Sequence, residues 1–310
     1  MTDKPRLAIL LSTWNGGKFL AEQLDSLFAQ SYTNFVVVVR DDGSSDNTLA
    51  ILQDYQTREP ERIHLLDAAT GNLGARDSFG YLLQYTLQHK SALGLESAYM
   101  LFCDQDDVWY PDKVETEWQA MQQAEQAHPE VPVLVHSDLQ VVSETLQPVA
   151  PSLARYQGLE TARNGFNQMV ISNLVTGCTA LINEALARKS LPVSPNAIMH
   201  DWWLALVAAA FGKVVYLDQA LIHYRQHGRN TIGAKEHKQA VASQPGFWTR
   251  LLHLQPNEHL WEVARQAQDF MAQYGAALTE QQRRGLRLAG KMDVNMGTLQ
   301  RIYYRRARRY

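Results

Sequence analysis

The chain has 310 residues, 45% of them hydrophobic, two cysteines (Cys103 and Cys178) and a formal net charge of −3. That is enough apolar material for one large α/β core with a helical addition, and it excludes a small scaffold held by disulfides; the cysteine usage suits a reducing compartment. The charge balance gives no reason to expect nucleic acid, and no run approaches the roughly 20 apolar residues of a membrane span, so a cytoplasmic protein is expected.

Residues 7–11 form a continuous apolar run that ends in Ser12-Thr13-Trp14-Asn15-Gly16-Gly17. The run is too short and too soon interrupted for a signal-peptide core, and it reads as a buried first strand. Residues 18–30 place Phe19, Leu20, Leu24, Leu27 and Phe28 at helical spacing. A second strand at 35–39 closes in Arg40-Asp41-Asp42-Gly43-Ser44-Ser45-Asp46, and Asp46 is positioned to cap a helix from 47 to about 56. A strand at 63–66, a helix over about 75–89 and a strand at 99–102 follow. Further strands are predicted at 133–136, 177–182, 214–217 and 221–224, with an apolar helix at 201–211; from about 244 onward the pattern is helical. Apolar strands alternating with helices imply a mostly parallel sheet covered on both faces, with the ligand beyond the carboxyl ends of the strands. Three strand ends deliver polar or acidic groups to that edge.

Asp104-Gln105-Asp106-Asp107 puts three carboxylates within four residues, directly after a buried strand. Such a cluster is costly beside a core unless a cation neutralises it, and Mg²⁺ or Mn²⁺ prefers these oxygens while leaving room for substrate phosphates. In Asp41-Asp42-Gly43, the glycine permits a tight turn and the aspartates can accept a base N–H or a ribose hydroxyl. Asp201, at the start of an apolar helix, fits either a helix cap or a general base. Arg225 and His227 suit a grip on a diphosphate, closed over by the segment 228–233, or a hydrogen-bonded surface strand. Trp202 and Trp203 can stack on sugar faces or pack inward.

Taken in order, Ser12-Thr13-Trp14-Asn15-Gly16, Asp41-Asp42-Gly43-Ser44, Asn72-Leu73-Gly74, Asp104-Gln105-Asp106-Asp107-Val108-Trp109 and His200-Asp201-Trp202-Trp203 resemble the family-2 glycosyltransferases of the GT-A fold. The Cys103-to-Trp109 string and Tyr224-Arg225-Gln226-His227 are similar to its bacterial rhamnosyltransferase-like branch, which builds surface polysaccharides. The resemblance spans about residues 6–230. It implies that Thr13, Trp14 and Asn15 line the nucleotide pocket, that Asp42 reads the base with Asp41 in support, and that Arg76 also reaches the nucleotide. Asp104 and Asp106 take the D-x-D positions: Asp106 as direct metal ligand, Asp104 on the ribose or the metal, with Asp107 a third candidate. Asp201 takes the position of the catalytic base of an inverting transfer. Where many relatives read Glu-Asp, this chain reads His200-Asp201. Asn173, Thr176, Gly177 and Cys178 fall where the family's acceptor side lies.

The implied partners are a nucleotide diphosphate sugar, dTDP-rhamnose or a UDP-linked hexose, and a glycan or lipid-linked acceptor. A Mg-dependent nucleotidyltransferase and a non-catalytic sugar-nucleotide-binding scaffold are the competing readings. The expected division is a GT-A domain over 1–240 and a helical extension over 241–310. That extension is open to homodimerisation, acceptor binding or membrane contact. Its last ten residues carry five arginines and three tyrosines, which suit a solvated helix end or the inner face of the plasma membrane equally.

Overall fold

The structure is a computed structural model, and it describes residues 4–67, 71–228 and 256–307. Its strands are β1 (Leu7–Thr13), β2 (Phe35–Asp41), β3 (Ile63–Leu65), β4 (Met100–Cys103), β5 (Val108–Trp109), β6 (Val133–Val142), β7 (Pro148–Ala150), β8 (Ala180–Ile182) and β9 (Lys213–Arg225). They form one sheet in the order β3-β2-β1-β4-β8-β6-β9-β5, with β7 paired to β6. The half from β3 to β4 is parallel, as the apolar runs predict. Beyond it β8 runs antiparallel to both its neighbours, so the whole sheet is mixed.

The continuous apolar strands feed two cores because successive side chains point to opposite faces. Ala8, Leu10, Val36, Val38, Met100 and Phe102 face one cluster. Leu7, Ile9, Val37, Val39, Leu101 and Cys103 face the other. The second cluster is covered by α1 (Leu20–Phe28), α2 (Thr48–Arg58) and α4 (Lys113–Ala127). Helix α4 has no counterpart among the expected elements. Its buried Val114, Trp118 and Met121 are diluted by glutamine and glutamate, which masks their helical spacing. The two strands expected at 214–217 and 221–224 are one, β9, whose pairing with β6 shifts register at Asp138; Asp218 and Gln219 interrupt the apolar pattern without ending the strand.

The first cluster is covered by α3 (Ala75–Gln88), α6 (Phe166–Ile171), α7 (Glu184–Ser190) and α8 (His200–Phe211). The same cluster takes in α9 (Glu258–Tyr274), α10 (Glu280–Gly290) and α11 (Gly297–Ala307). Phe270 of α9 is fully buried and meets the Trp203 ring edge-on at 5.3 Å. The helical C-terminal part thus shares its core with the sheet, while the boundary expected at 240 lies outside the described residues. No described helix is long and apolar enough to cross a membrane.

Candidate active site

Strands β2, β1 and β4 lie side by side and parallel, with Thr13 opposite Asp41 and Leu11 opposite Cys103. Their register carries the 13–17 loop, the 41–46 turn and the 104–107 acids to a common edge. Gln105 fastens two of these together: the Trp14 backbone N–H donates to its Oε1 (2.8 Å), and its Nε2 donates to the Trp14 carbonyl (3.0 Å). A Cβ on Gly16 would stand 2.2 Å from that Oε1, so only glycine admits the clamp. Nothing in the sequence pattern singled out Gln105, because its partner lies 91 residues away.

Of the three expected nucleotide-lining residues, two are committed to the loops themselves. The Thr13 hydroxyl donates to Asp41 Oδ1 (2.9 Å), and Asp41 also accepts the Ser44 N–H (2.8 Å) and hydroxyl (2.6 Å). Asn15 adopts a left-handed φ of 49° and takes the Ser45 N–H on its Oδ1 at 2.8 Å. Trp14 differs: its side chain is 55% exposed at the mouth of the edge, where a flat base or sugar can stack on it.

Asp42 is placed differently from expectation. It is buried and ion-paired with Arg40, and its oxygens accept the N–H groups of Leu73 (2.8 Å) and Gly74 (2.7 Å). Its carboxylate therefore fixes the 71–74 loop. Arg40, the charged end of an otherwise apolar strand, is a functional neighbour that the strand pattern alone obscured. Asp42→Ala removes the carboxylate paired with a buried guanidinium and is expected to cost about 3–5 kcal/mol. Urea unfolding measures this directly, and an unshifted midpoint would return Asp42 to a ligand-facing role.

Arg76, expected at the nucleotide, is held within the protein. Its Nε and Nη2 donate to both Asp77 oxygens (2.7 and 2.8 Å), and its Nη1 donates to the carbonyls of Pro195 (2.6 Å) and Ala197 (3.1 Å). Trp202 and Trp203 are both core residues, their indole N–H groups bonded to the carbonyls of Met169 (2.6 Å) and Ser190 (2.9 Å). Neither is a sugar platform.

The acidic station separates into an outer and an inner part. Asp106 is the outer carboxylate, in contact with His227 Nε2 at 2.8 Å. Asp107 is fully buried; its Oδ1 accepts the Arg225 N–H (3.1 Å), and among the described residues its Oδ2 has no hydrogen-bond partner within normal distance, although the Cys178 thiol lies beside the carboxylate. Asp104, Asp107 and the Cys178 thiol bring their ligand atoms within 4.8 Å of one another. Burial pushes both Asp104 and Asp107 upward, and the charges of their neighbours push further. An oxygen-rich set with an orphaned buried carboxylate atom fits a hard divalent cation. Arg225 is a brace: its Nε donates to the Asp106 carbonyl (2.8 Å), its Nη1 to the Glu144 carbonyl (2.5 Å), and it pairs with Glu22. The closing segment expected at 228–233 lies, past Gly228, outside the described residues.

Asp201 stands in the first turn of α8, buried. Its Oδ1 accepts the Trp202 N–H (2.5 Å) and the Asn173 amide (3.2 Å). Burial pushes its carboxyl up to about 7, although the N–H groups of Trp202 and Gly177 and the Asn173 amide pull it down. The Asp201 charge in turn raises Asp104, so the helix start and the β4 end converge within electrostatic reach. Preceding it, His200 lies between Phe79 (4.2 Å) and Phe102 (5.1 Å), its imidazole driven down to about 3 by burial and so neutral. A Cβ on Gly177 would come within 3.0 Å of His200 Nε2 and 3.4 Å of Asp201 Oδ2, so a side chain there would press on both. Asn173→Ala removes a bond that favours the ionised Asp201. Turnover at neutral pH should fall by about threefold to tenfold, with the acid limb of the pH–rate profile moved upward. A profile that drops in height without moving would make Asn173 merely structural. Away from this edge, a surface hollow of about 480 Å³ lined by Arg155, Asn164, Tyr216 and Asp218 contains none of these residues.

Three parallel strands ending in polar loops, an acidic station and a buried carboxylate at a helix start are set out as in the GT-A fold. Residues 8–138 match the family model described as glycosyl transferase family 2. The dTDP-rhamnosyl transferase RfbG of Shigella flexneri is 27% identical over 234 residues, covering 72% of this chain and 74% of the relative. The putative glycosyltransferase EpsE of Bacillus subtilis is 29% identical over 115 residues, covering 37% of this chain and 38% of the relative. Among solved structures, S. aureus TarS 1-349 in complex with UDP-GlcNAc superposes with a TM-score of 0.54 at 15% identity, over 97% of this chain and 92% of that one. The mannosyltransferase PcManGT from Pyrobaculum calidifontis, in complex with GDP-Man and Mn²⁺, gives 0.53 at 16% identity, over 99% and 86%.

Proposed function

We propose that the chain is an inverting, divalent-cation-dependent glycosyltransferase that moves a sugar from a nucleoside diphosphate onto a hydroxyl of a glycan or lipid-linked acceptor. The reading rests most on Asp201, a buried carboxyl raised to about 7 within electrostatic reach of Asp104. A base with that value is half ionised at neutral pH and strong enough to take a hydroxyl proton as the bond to carbon forms. Asp201 accepts the acceptor proton while the acceptor oxygen bonds to the anomeric carbon from one face. The bond from that carbon to the diphosphate oxygen breaks on the other face, and its electron pair leaves with the nucleoside diphosphate. One displacement inverts the configuration and needs no nucleophile on the enzyme.

A cation held by Asp104 and Asp106, with Asp107 behind them, would supply positive charge for the diphosphate. Trp14 stacks on the base, and the Gln105 clamp keeps its backbone in place. The likeness to a dTDP-rhamnosyl transferase supports dTDP-rhamnose as the first donor to try, ahead of UDP-linked hexoses. Synthesis of a bacterial surface polysaccharide is the setting that the motif resemblance to the rhamnosyltransferase-like branch implies. The test is a panel of nucleotide sugars with Mg²⁺ or Mn²⁺, scored for nucleoside diphosphate release with and without a chelator. Release from one donor, stopped by chelation, is the expected result. Binding of a donor with no release under any condition would favour a scaffold.

A further inference from the structure

Helix α11 buries Gly297, Gln300 and Ala307 against the body and turns the opposite face outward. That outer face carries Leu299 and Ile302, 37% and 46% exposed, and Met296 just before the helix is 57% exposed. Alongside them stand exposed Arg305 and Arg306. The helix contains no acidic residue, and the sequence continues with Arg308 and Arg309. Large apolar side chains left in water beside a one-signed basic row suit an anionic bilayer: the apolar residues enter the headgroup boundary and the arginines meet the phosphates. A protein partner would have to match both features with an apolar groove rimmed by acids.

The position of α11 gives this face a consequence for catalysis. Gln300, on its inner side, accepts the Asn257 N–H (2.7 Å) and donates to the Asn257 carbonyl (3.1 Å). Two residues on, the His259 ring lies 5.8 Å from the ring of Trp202, the neighbour of Asp201. The basic face and the base are thus joined by a short chain of packed contacts, on the side of the sheet that carries α6, α8 and Asn173.

We propose that α11 lies flat on an anionic membrane surface through Met296, Leu299, Ile302, Arg305 and Arg306. Resting on the transferase reading above, this places the Asp201 side of the cleft toward an acceptor carried by a lipid. Each arginine near such a surface strengthens partitioning by about fivefold. The test is sedimentation of the full chain with phosphatidylcholine vesicles, with or without phosphatidylglycerol, over a range of salt. The wild-type protein should pellet with the anionic vesicles, remain free of the neutral ones, and be released by salt. R305E/R306E should lose at least about 25-fold in partitioning, and L299E/I302E should also detach, both keeping native circular dichroism and melting behaviour.

The proposal is overturned if the wild-type protein stays in solution with anionic vesicles at low salt, if it binds neutral vesicles equally, or if both variants pellet unchanged. A concentration-dependent dimer that L299E/I302E abolishes, without vesicle binding, would assign the face to a second copy of the chain. Nucleotide release measured on the same samples separates the two readings. Release without vesicle binding removes only the docking, and vesicle binding without release removes only the transferase.

Discussion

Asp201→Asn is expected to lower kcat by about 10²–10⁴, the usual worth of a positioned general base, while nucleoside diphosphate affinity stays within about twofold. The amide keeps the volume and the bonds to Trp202 and Asn173 but cannot take a proton. Wild-type turnover should also fall about tenfold per pH unit below about 7, because burial raises the carboxyl and only its ionised form is active. That acid limb should vanish in the variant. Nucleotide release against pH, with calorimetric titration of the diphosphate, checks both statements. A variant that keeps most of its turnover would place the base elsewhere.

Asp106→Asn is the second large effect. Asp106, partly exposed like Asp104 while Asp107 is buried, should on loss reduce metal-stimulated turnover on the order of 10²–10³-fold and raise the Mn²⁺ concentration needed for half-activation. A Mn²⁺ titration of activity in both proteins measures this. The same station gives the metal-free protein a pH signature. Asp104, Asp107 and Asp201 are all raised in the folded state, so folding retains protons that the unfolded chain, with carboxyls near 3.9, has lost. The stabilising contribution of Asp104 and Asp201 is complete below about pH 4 and fades as pH rises through about 7, with Asp107 shifted in the same direction. A bound cation counters that loss, so the Mn²⁺-induced rise in melting temperature should be larger at about pH 7.5 than at about pH 5. Equal rises at both would detach the cation from these acids.

The parallel half of the fold was legible because β1, β2 and β4 are unbroken apolar runs followed at once by polar residues. That pattern forces the strands inward and their ends to one edge. The placement of the acidic station at the end of β4 and of Asp201 at a helix start was legible for the same reason, since carboxylates are conspicuous at element ends. Pattern could not show which polar groups were already spent. The donors that occupy Asp42 come from Leu73 and Gly74, and the acceptors that hold Arg76 come from Pro195 and Ala197, all remote in sequence. Trp202 and Trp203 look like sugar platforms until Met169 and Ser190 take their N–H groups. The C-terminal helices announced themselves by spacing, Val263, Ala267, Phe270 and Tyr274 on one face, but not that their partners would be Trp203 and the rest of the α6 to α8 layer.

The central claim is that acids from β4 and α8 surround one cation-held diphosphate. Crystals grown with a nucleoside diphosphate and Mn²⁺, examined by anomalous scattering at the manganese edge, test it most directly. The account predicts a single peak within bonding distance of the Asp106 or Asp104 carboxylate, touching the diphosphate, with the Asp201 carboxylate facing the terminal phosphate. A diphosphate bound without metal, or a peak away from the 104–107 loop, would contradict it.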